Sequence, residues 1–188
     1  MKSMAAASKP ARYEDLLALP PEVTGQIVDG VLHAHPRPAT PHAIAASGLG
    51  EELGPPFKRG RGGPGGWVIL DEPELHLRAD VLVPDLAGWR RTRMPETPLE
   101  PFFTLAPDWL CEVLSPSTAS FDRKKKLPVH AREGVGHVWI VEPETKTLEV
   151  LRLDGDTYRI ALVASDDDKG RFEPFEAIEL DLAILWAR

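Results

Sequence analysis

A single cysteine, Cys111, in 188 residues excludes an intrachain disulfide. A domain of this length buries about two thirds of its unfolded-chain surface and needs no such staple. One thiol and no bridge is the usage of a reducing compartment, so cytoplasmic placement is expected. No apolar run approaches the roughly 20 residues of a membrane span. The opening MKSMAAASKPARYEDLL lacks the continuous apolar stretch of a secretory signal. An excess of cations is missing as well: 22 Lys and Arg face 29 Asp and Glu, a formal net charge of −7, which excludes an indiscriminate polyanion binder. Gly60 to Gly66 (GRGGPGG) lacks the Gly-Lys-Ser/Thr ending of a phosphate-binding loop and is expected to be a flexible connection. Without repeats or a low-complexity linker, the chain reads as one domain over residues 13–188 behind a disordered leader, residues 1–12.

The charge that is present is unevenly placed. Residues 142–188 hold 12 acidic and six basic residues and so carry most of the net negative charge. Upstream the basic residues fall in runs: Lys58, Arg59 and Arg61; Arg90, Arg91 and Arg93; Arg123 to Lys126. Either these are solvated faces, or folding gathers them into a positive surface on an acidic protein.

Periodicity places the elements. Tyr13 to Leu19 is a short amphipathic helix stopped by Pro20-Pro21. Gln26 to Leu32 is a strand pair turned at Asp29-Gly30. Thr40 as N-cap and Pro41 at the first helical position open a helix through Leu53. Trp67 to Leu70, Glu74 to Leu77, Asp80 to Val83 and Trp109 to Leu114 read as strands. A helix capped from Ser117, Thr118 or Ser120 runs to about Glu133, disturbed by Pro128 and ended by Gly134. Val138 to Val141, Thr147 to Leu153 and Thr157 to Val163 follow, the last two joined at Asp154-Gly155-Asp156. This order specifies an α/β fold, a mixed sheet flanked by helices with added C-terminal antiparallel strands, and not a regular βαβ alternation. The apolar strip Ile178 to Trp186 can cover the chain's own core or a partner's.

Glu112 is the oddity in this pattern. A carboxylate inside the apolar run Trp109-Leu-Cys-Glu-Val-Leu114 costs several kcal/mol unless paired, so it calls for a cation, a metal or a cleft. Alternation puts Glu112 with Leu110 and Leu114, and Trp109, Cys111 and Val113 on the other face. Asp85, after Val81-Leu-Val-Pro84, is expected at a strand end where the chain leaves the sheet. Two carboxylates from neighbouring strand ends make the oxygen-rich site that Mg²⁺ or Mn²⁺ prefers. In the bland alternative Asp85 caps a turn and Glu112 meets a core-edge lysine. His42 is a candidate base or substrate contact. His33 and His35 form an H-x-H pair that no further Cys or His spacing supports as a zinc site. Cys111 reads as a small core residue.

The stretch EVLSPSTASFDRKKK…AREGVGHVWIVEPETKTLEVLRL (Glu112 to Leu153) and the upstream VPDLAGWRRTRMP (Val83 to Pro95) resemble the Uma-two-type family, bacterial proteins assigned to the PD-(D/E)XK restriction-endonuclease-like superfamily. GQIVDG and Pro41-His42 sit where that family carries a Glu-led IDG strand and a Pro-His step. The resemblance implies a restriction-endonuclease-like core and metal-dependent hydrolysis of nucleic acid, DNA by preference, by a chain able to pair as a homodimer. It further implies that Asp85 and Glu112 bind the metal. The superfamily lysine, expected two positions after the carboxylate, is replaced by Leu114. In this family it is supplied from the following helix, where Lys126 fits the D-x-x-x-K spacing from Asp122 and Lys124 is the fallback. Arg90, Arg91 and Lys124 are the phosphate contacts so implied. Gln26 stands where the family has a glutamate. That departure and Leu114 admit a second reading, a catalytically degenerate binding module that keeps the fold.

Overall fold

In the computed structural model, residues 9–36 and 39–187 are described. A short helix, α1 (Tyr13–Leu17), leads into the hairpin β1 (Val23–Val28) and β2 (Val31–Pro36). Asp29 and Gly30 both have positive φ, the requirement of a two-residue hairpin turn. α2 (Thr40–Leu53) follows and ends in a wide turn over Gly54–Lys58. Then come β3 (Trp67–Asp71), β4 (Leu75–Leu77), β5 (Asp80–Leu82), β6 (Leu86–Arg90) and β7 (Trp109–Val113). A helical segment begins as α3 (Ala119–Phe121), widens over Asp122–Lys126 and continues as α4 (Leu127–Arg132). Strands β8 (His137–Glu142), β9 (Thr147–Asp154) and β10 (Thr157–Ser165) complete the main sheet. A two-residue pair, β11 (Lys169–Gly170) and β12 (Leu180–Asp181), and a 3₁₀ turn over Leu182–Leu185 close the described chain.

The main sheet has the order β10-β9-β8-β7-β6-β3, with β7 and β8 parallel and every other neighbour antiparallel. A smaller sheet has the order β2-β1-β5-β4. The mixed α/β architecture is the expected one. Strand alternation on β7 divides the core as the sequence specifies. Trp109, Cys111 and Val113 join Leu49, Leu53 and Trp139 on one face, and Leu110 and Leu114 join Trp89, Val129 and Val138 on the other. The C-terminal strip covers the chain's own core: Leu180, Leu182 and Leu185 are buried with α2's Ala45 and Leu49. Among the described residues no helix is long and apolar enough to cross a membrane.

Several expectations need correction. Strand β6 was not legible, because Leu86-Ala-Gly-Trp-Arg90 does not alternate; it is buried on both faces until Arg90. At Gly88 a side chain would meet the rings of Trp109 and Trp67 at 3.2 and 3.3 Å, so glycine is the residue that lets the strands close up there. Asp85 therefore does not end a strand and leave the sheet. The Val83-Pro84-Asp85 step carries the chain from β5 in the small sheet to β6 in the large one. The N-cap of α2 is Ala39, with Thr40 already helical and no side-chain cap. Thr118 is the N-cap of α3 but its hydroxyl bonds Ser115 instead of a backbone N–H. Of the leader, residues 1–8 lie outside the described residues, while Ala11 N donates to Gly30 O at 2.8 Å. The glycine-rich loop is pinned: Arg61 N donates to Pro55 O and Gly65 N to Pro56 O, both at 2.8 Å.

Candidate active site

The step between the two sheets puts Asp85 beside Glu112. Strands β6 and β7 pair Ala87 with Leu110 and Leu86 with Cys111, so one further step of the register sets Asp85 opposite Glu112. Residues so placed have Cβ atoms about 4.5–5.5 Å apart. Asp85 Oδ2 accepts Val113 N–H at 2.6 Å, and Oδ1 lies 3.0 Å from His42 Nε2. Gln26 anchors the approach from the small sheet, its Oε1 accepting Val83 N–H at 3.0 Å.

Glu112 is 1% exposed and is met by a stripe of one helical face, Asp122, Lys126 and His130 at i, i+4, i+8. Lys126 Nζ lies 2.5 Å from Glu112 Oε2, 3.3 Å from Asp122 Oδ1 and 3.4 Å from Val83 O, so its three donors are all engaged. His130 Nε2 lies 3.2 Å from Glu112 Oε1, and its Nδ1 is buried without a partner. His130 was not anticipated from the sequence. The signal was its spacing of four from Lys126, which puts it one turn along the face that Lys126 aims at Glu112.

The electrostatics follow from burial and count. Burial would lower Lys126, but the carboxylates of Glu112, Asp122 and Asp85 overcome it and hold the ammonium above the ordinary lysine value. Burial pushes the Glu112 carboxyl well above the carboxylate range, with Lys126 pulling it down and Asp122 and Asp85 pushing it up. One ammonium faces three carboxyl groups, and Glu112 is the most deeply buried of them. Burial, with the Lys126 charge alongside, holds His130 well below the ordinary imidazole value. Its Nε2 is the nitrogen that faces Glu112, and its Nδ1 is the one left without a partner.

Asp85, Glu112, Lys126, Gln26, His42 and Asp122 line one cavity of about 70 Å³. His42, Glu72 and Asp85 also border an open groove of about 720 Å³ along α2. Among the described residues no three His, Cys, Asp or Glu side chains are arranged to hold an ion by themselves. Mg²⁺ does not ask for that: it takes one or two carboxylates and keeps waters or phosphate oxygens in its other positions. Two carboxyl groups side by side, Asp85 in the crossing just before β6 and Glu112 on β7, fit a divalent ion held in this way. Gln26, its amide oxygen committed to Val83, is not part of that donor set.

Of the remaining sequence candidates, His35 also lines the 70 Å³ cavity, and the others lie elsewhere. Lys124 is exposed on the helix face turned from Glu112. Arg90 and Arg91 are at the far end of β6 from Asp85, roughly 16 Å along the strand. There Arg90 lies 4.5 Å over the Trp67 ring and Arg91 Nη1 donates to Pro95 O. His33 and His35 pack on the Phe121 ring at 4.5 and 4.8 Å. Cys111 is buried on the opposite face of β7, its thiol pushed up by burial.

Residues 11–184 match the model of the Uma2 family, described as "Putative restriction endonuclease". A crystal structure of "a putative nuclease belonging to DUF820" from Anabaena variabilis ATCC 29413 superposes with a TM-score of 0.76. The two chains are 22% identical, and the match covers 94% of this chain and 98% of that one, a likeness that shows the fold. No curated protein matches.

Proposed function

This chain belongs to the Uma2 family, and from that premise we propose that it is a divalent-metal-dependent nuclease that hydrolyses phosphodiester bonds of DNA. The observation that carries the reading is the meeting of Asp85, Glu112 and Lys126 in one small buried cavity open to a surface groove. Asp85 and Glu112 would hold Mg²⁺ or Mn²⁺. Such an ion, when bound, supplies Lewis acidity toward a phosphoryl oxygen and a readily ionised water near neutral pH.

The chain's own residues prepare the site. His42 and the Val113 N–H fix the two oxygens of Asp85. Lys126 and His130 fix the two oxygens of Glu112, so neither carboxylate has to be ordered when substrate arrives. Lys126 also sets a permanent positive charge in the cavity wall, where charge developing on a phosphate is stabilised. Two-strand cleavage calls for two such cavities, which a two-fold pair of copies supplies.

The test is cleavage of duplex DNA by the full chain with Mg²⁺ or Mn²⁺, with chelator, and in Asp85→Asn and Glu112→Gln. Metal-dependent cleavage that both variants lose by several orders of magnitude supports the reading. No cleavage by the wild type, or undiminished cleavage by the variants, overturns it. A binding module that keeps the fold is the second reading. It is favoured by the saturation of Lys126 and Glu112 within the protein and by Gln26 in place of the family's glutamate. It predicts DNA binding without cleavage.

A further inference from the structure

The groove beside the cavity has a wall of small residues and a charged far end. Ala43, Ala46, Ser47, Gly50 and Gly54 line it along one face of α2, and Lys58 and Arg59 close it where the helix ends. From His42 to Leu53, where α2 ends, is 11 residues or about 16 Å, and the turn that carries Lys58 lies beyond. Lys58 and Arg59, with Arg61 just beyond, make no ion pair with any described residue, whereas Arg78, Arg93, Arg123, Arg132 and Arg152 are each paired with a carboxylate. With Arg159 on Asp154, six of the twelve described arginines meet a carboxylate, and Arg59 and Arg61 are among those that do not. The run is also held in place. Arg59 N donates to Gly54 O at 3.1 Å, and the Arg61 and Gly65 amides tie the loop back to Pro55 and Pro56. Glu51 and Asp71 line the same groove, and Glu72, whose N–H donates to Asp85 O, lines it at the cavity end, which confines the attraction for a polyanion to the end formed by Lys58 and Arg59.

The geometry points to Lys58, Arg59 and Arg61 as the phosphate-binding clamp of the substrate track, seated past the C-terminal end of α2, at least about 16 Å from the carboxylate cavity, in place of Arg90 and Arg91. The ligand class is a nucleic-acid backbone, and the inference rests on the nuclease reading only for what happens at the other end of the groove. At 3.4 Å per phosphate along a duplex axis, that reach corresponds to about five nucleotides or more from the reacting phosphate. The small side chains of α2 let the intervening backbone pass close to the helix. Arg90 is already stacked on Trp67 and Arg91 bonded to Pro95 O, so these two are less free to follow a phosphate.

The experiment measures binding of a duplex oligonucleotide to the full chain as a function of salt, in chelator so that cleavage does not intervene. It compares wild type, Lys58→Ala/Arg59→Ala and Arg90→Ala/Arg91→Ala, each checked for an unchanged melting temperature. Each cation that no longer neutralises a phosphate lowers the slope of log affinity against log salt by about 0.9. The Lys58/Arg59 variant is expected to lose close to two units of slope and at least tenfold in affinity at low salt. The Arg90/Arg91 variant should bind as the wild type does. An unchanged slope in the Lys58/Arg59 variant, or a loss confined to Arg90/Arg91, overturns the clamp. The two proposals fail separately. Cleavage by the wild type with an indifferent Lys58/Arg59 variant sinks the clamp alone. Binding through Lys58 and Arg59 without cleavage sinks the nuclease alone. Absence of both binding and cleavage sinks both.

Discussion

Replacing Lys126 by Met removes the one positive charge buried among Glu112, Asp122 and Asp85. The methionine fills much the same space, so what changes is the charge balance. Glu112 and Lys126 are 1% and 2% exposed, and their 2.5 Å contact has almost no water to screen it. Breaking a buried pair from one side costs about 3–5 kcal/mol, a large part of the roughly 5–15 kcal/mol that holds a typical domain folded. The loss depends on pH, and its sign follows from the carboxylate left behind. Without Lys126 the Glu112 carboxyl rises still further, so the folded state holds a proton that the unfolded chain releases near its ordinary value. Stability of Lys126→Met therefore falls as pH rises through the interval between those two values, and below it the penalty is smallest. A second substitution, Glu112→Gln, takes away the orphaned charge and should restore most of the loss. Urea unfolding of wild type, Lys126→Met and the double variant at neutral and mildly acidic pH measures all three quantities. A penalty under about 1 kcal/mol that is equal at both pH values would refute the picture of a desolvated ion pair.

His130→Ala removes the hydrogen-bond partner of Glu112 Oε1 and should cost about 1–3 kcal/mol, beyond the void it leaves. His130→Gln supplies a donor and should recover part of it, measured by urea unfolding together with the metal-induced rise in melting temperature. The Glu173 carboxyl is held below its ordinary range by Arg152, with His137 adding to it. Its stabilisation is present above the ordinary carboxylate value and is lost as pH falls through the lowered one, so the melting-temperature gap between wild type and Glu173→Gln should close on acidification. Leu185, 1% exposed and packed in the core cluster of α2, should cost about 2–5 kcal/mol on truncation to Ala in equilibrium unfolding. No such loss would mean that the C-terminal turn is not part of the core.

What the sequence could disclose was whatever a local pattern carries. A carboxylate inside an apolar strand marked Glu112 and the Val-Pro-Asp step marked Asp85, while Lys126 on the following helix was implied only by the family resemblance. Strand β6 was not readable, because a strand buried on both faces has no alternation, and the glycine that lets it pack between two tryptophans looks like a breaker. That omission put Asp85 at the end of a strand instead of in the crossing between two sheets. His130 escaped because a histidine near the end of a helix is ordinary until the target of Lys126 is known. The basic runs were visible, but which of them lies free beside the groove depends on which carboxylates the fold sets against the others. Arg93 meets Asp108 and Arg123 meets Glu149, partners 15 and 26 residues apart in the chain.

The central claim is that Asp85 and Glu112 together hold a divalent ion. Calorimetric titration of Mn²⁺ into the full chain tests it without depending on any substrate. The expected result is one site per chain, weakened at least tenfold by Asp85→Asn and by Glu112→Gln, and weakening in the wild type as acid protonates Glu112. Binding that both variants retain, or no binding at millimolar metal, would contradict it.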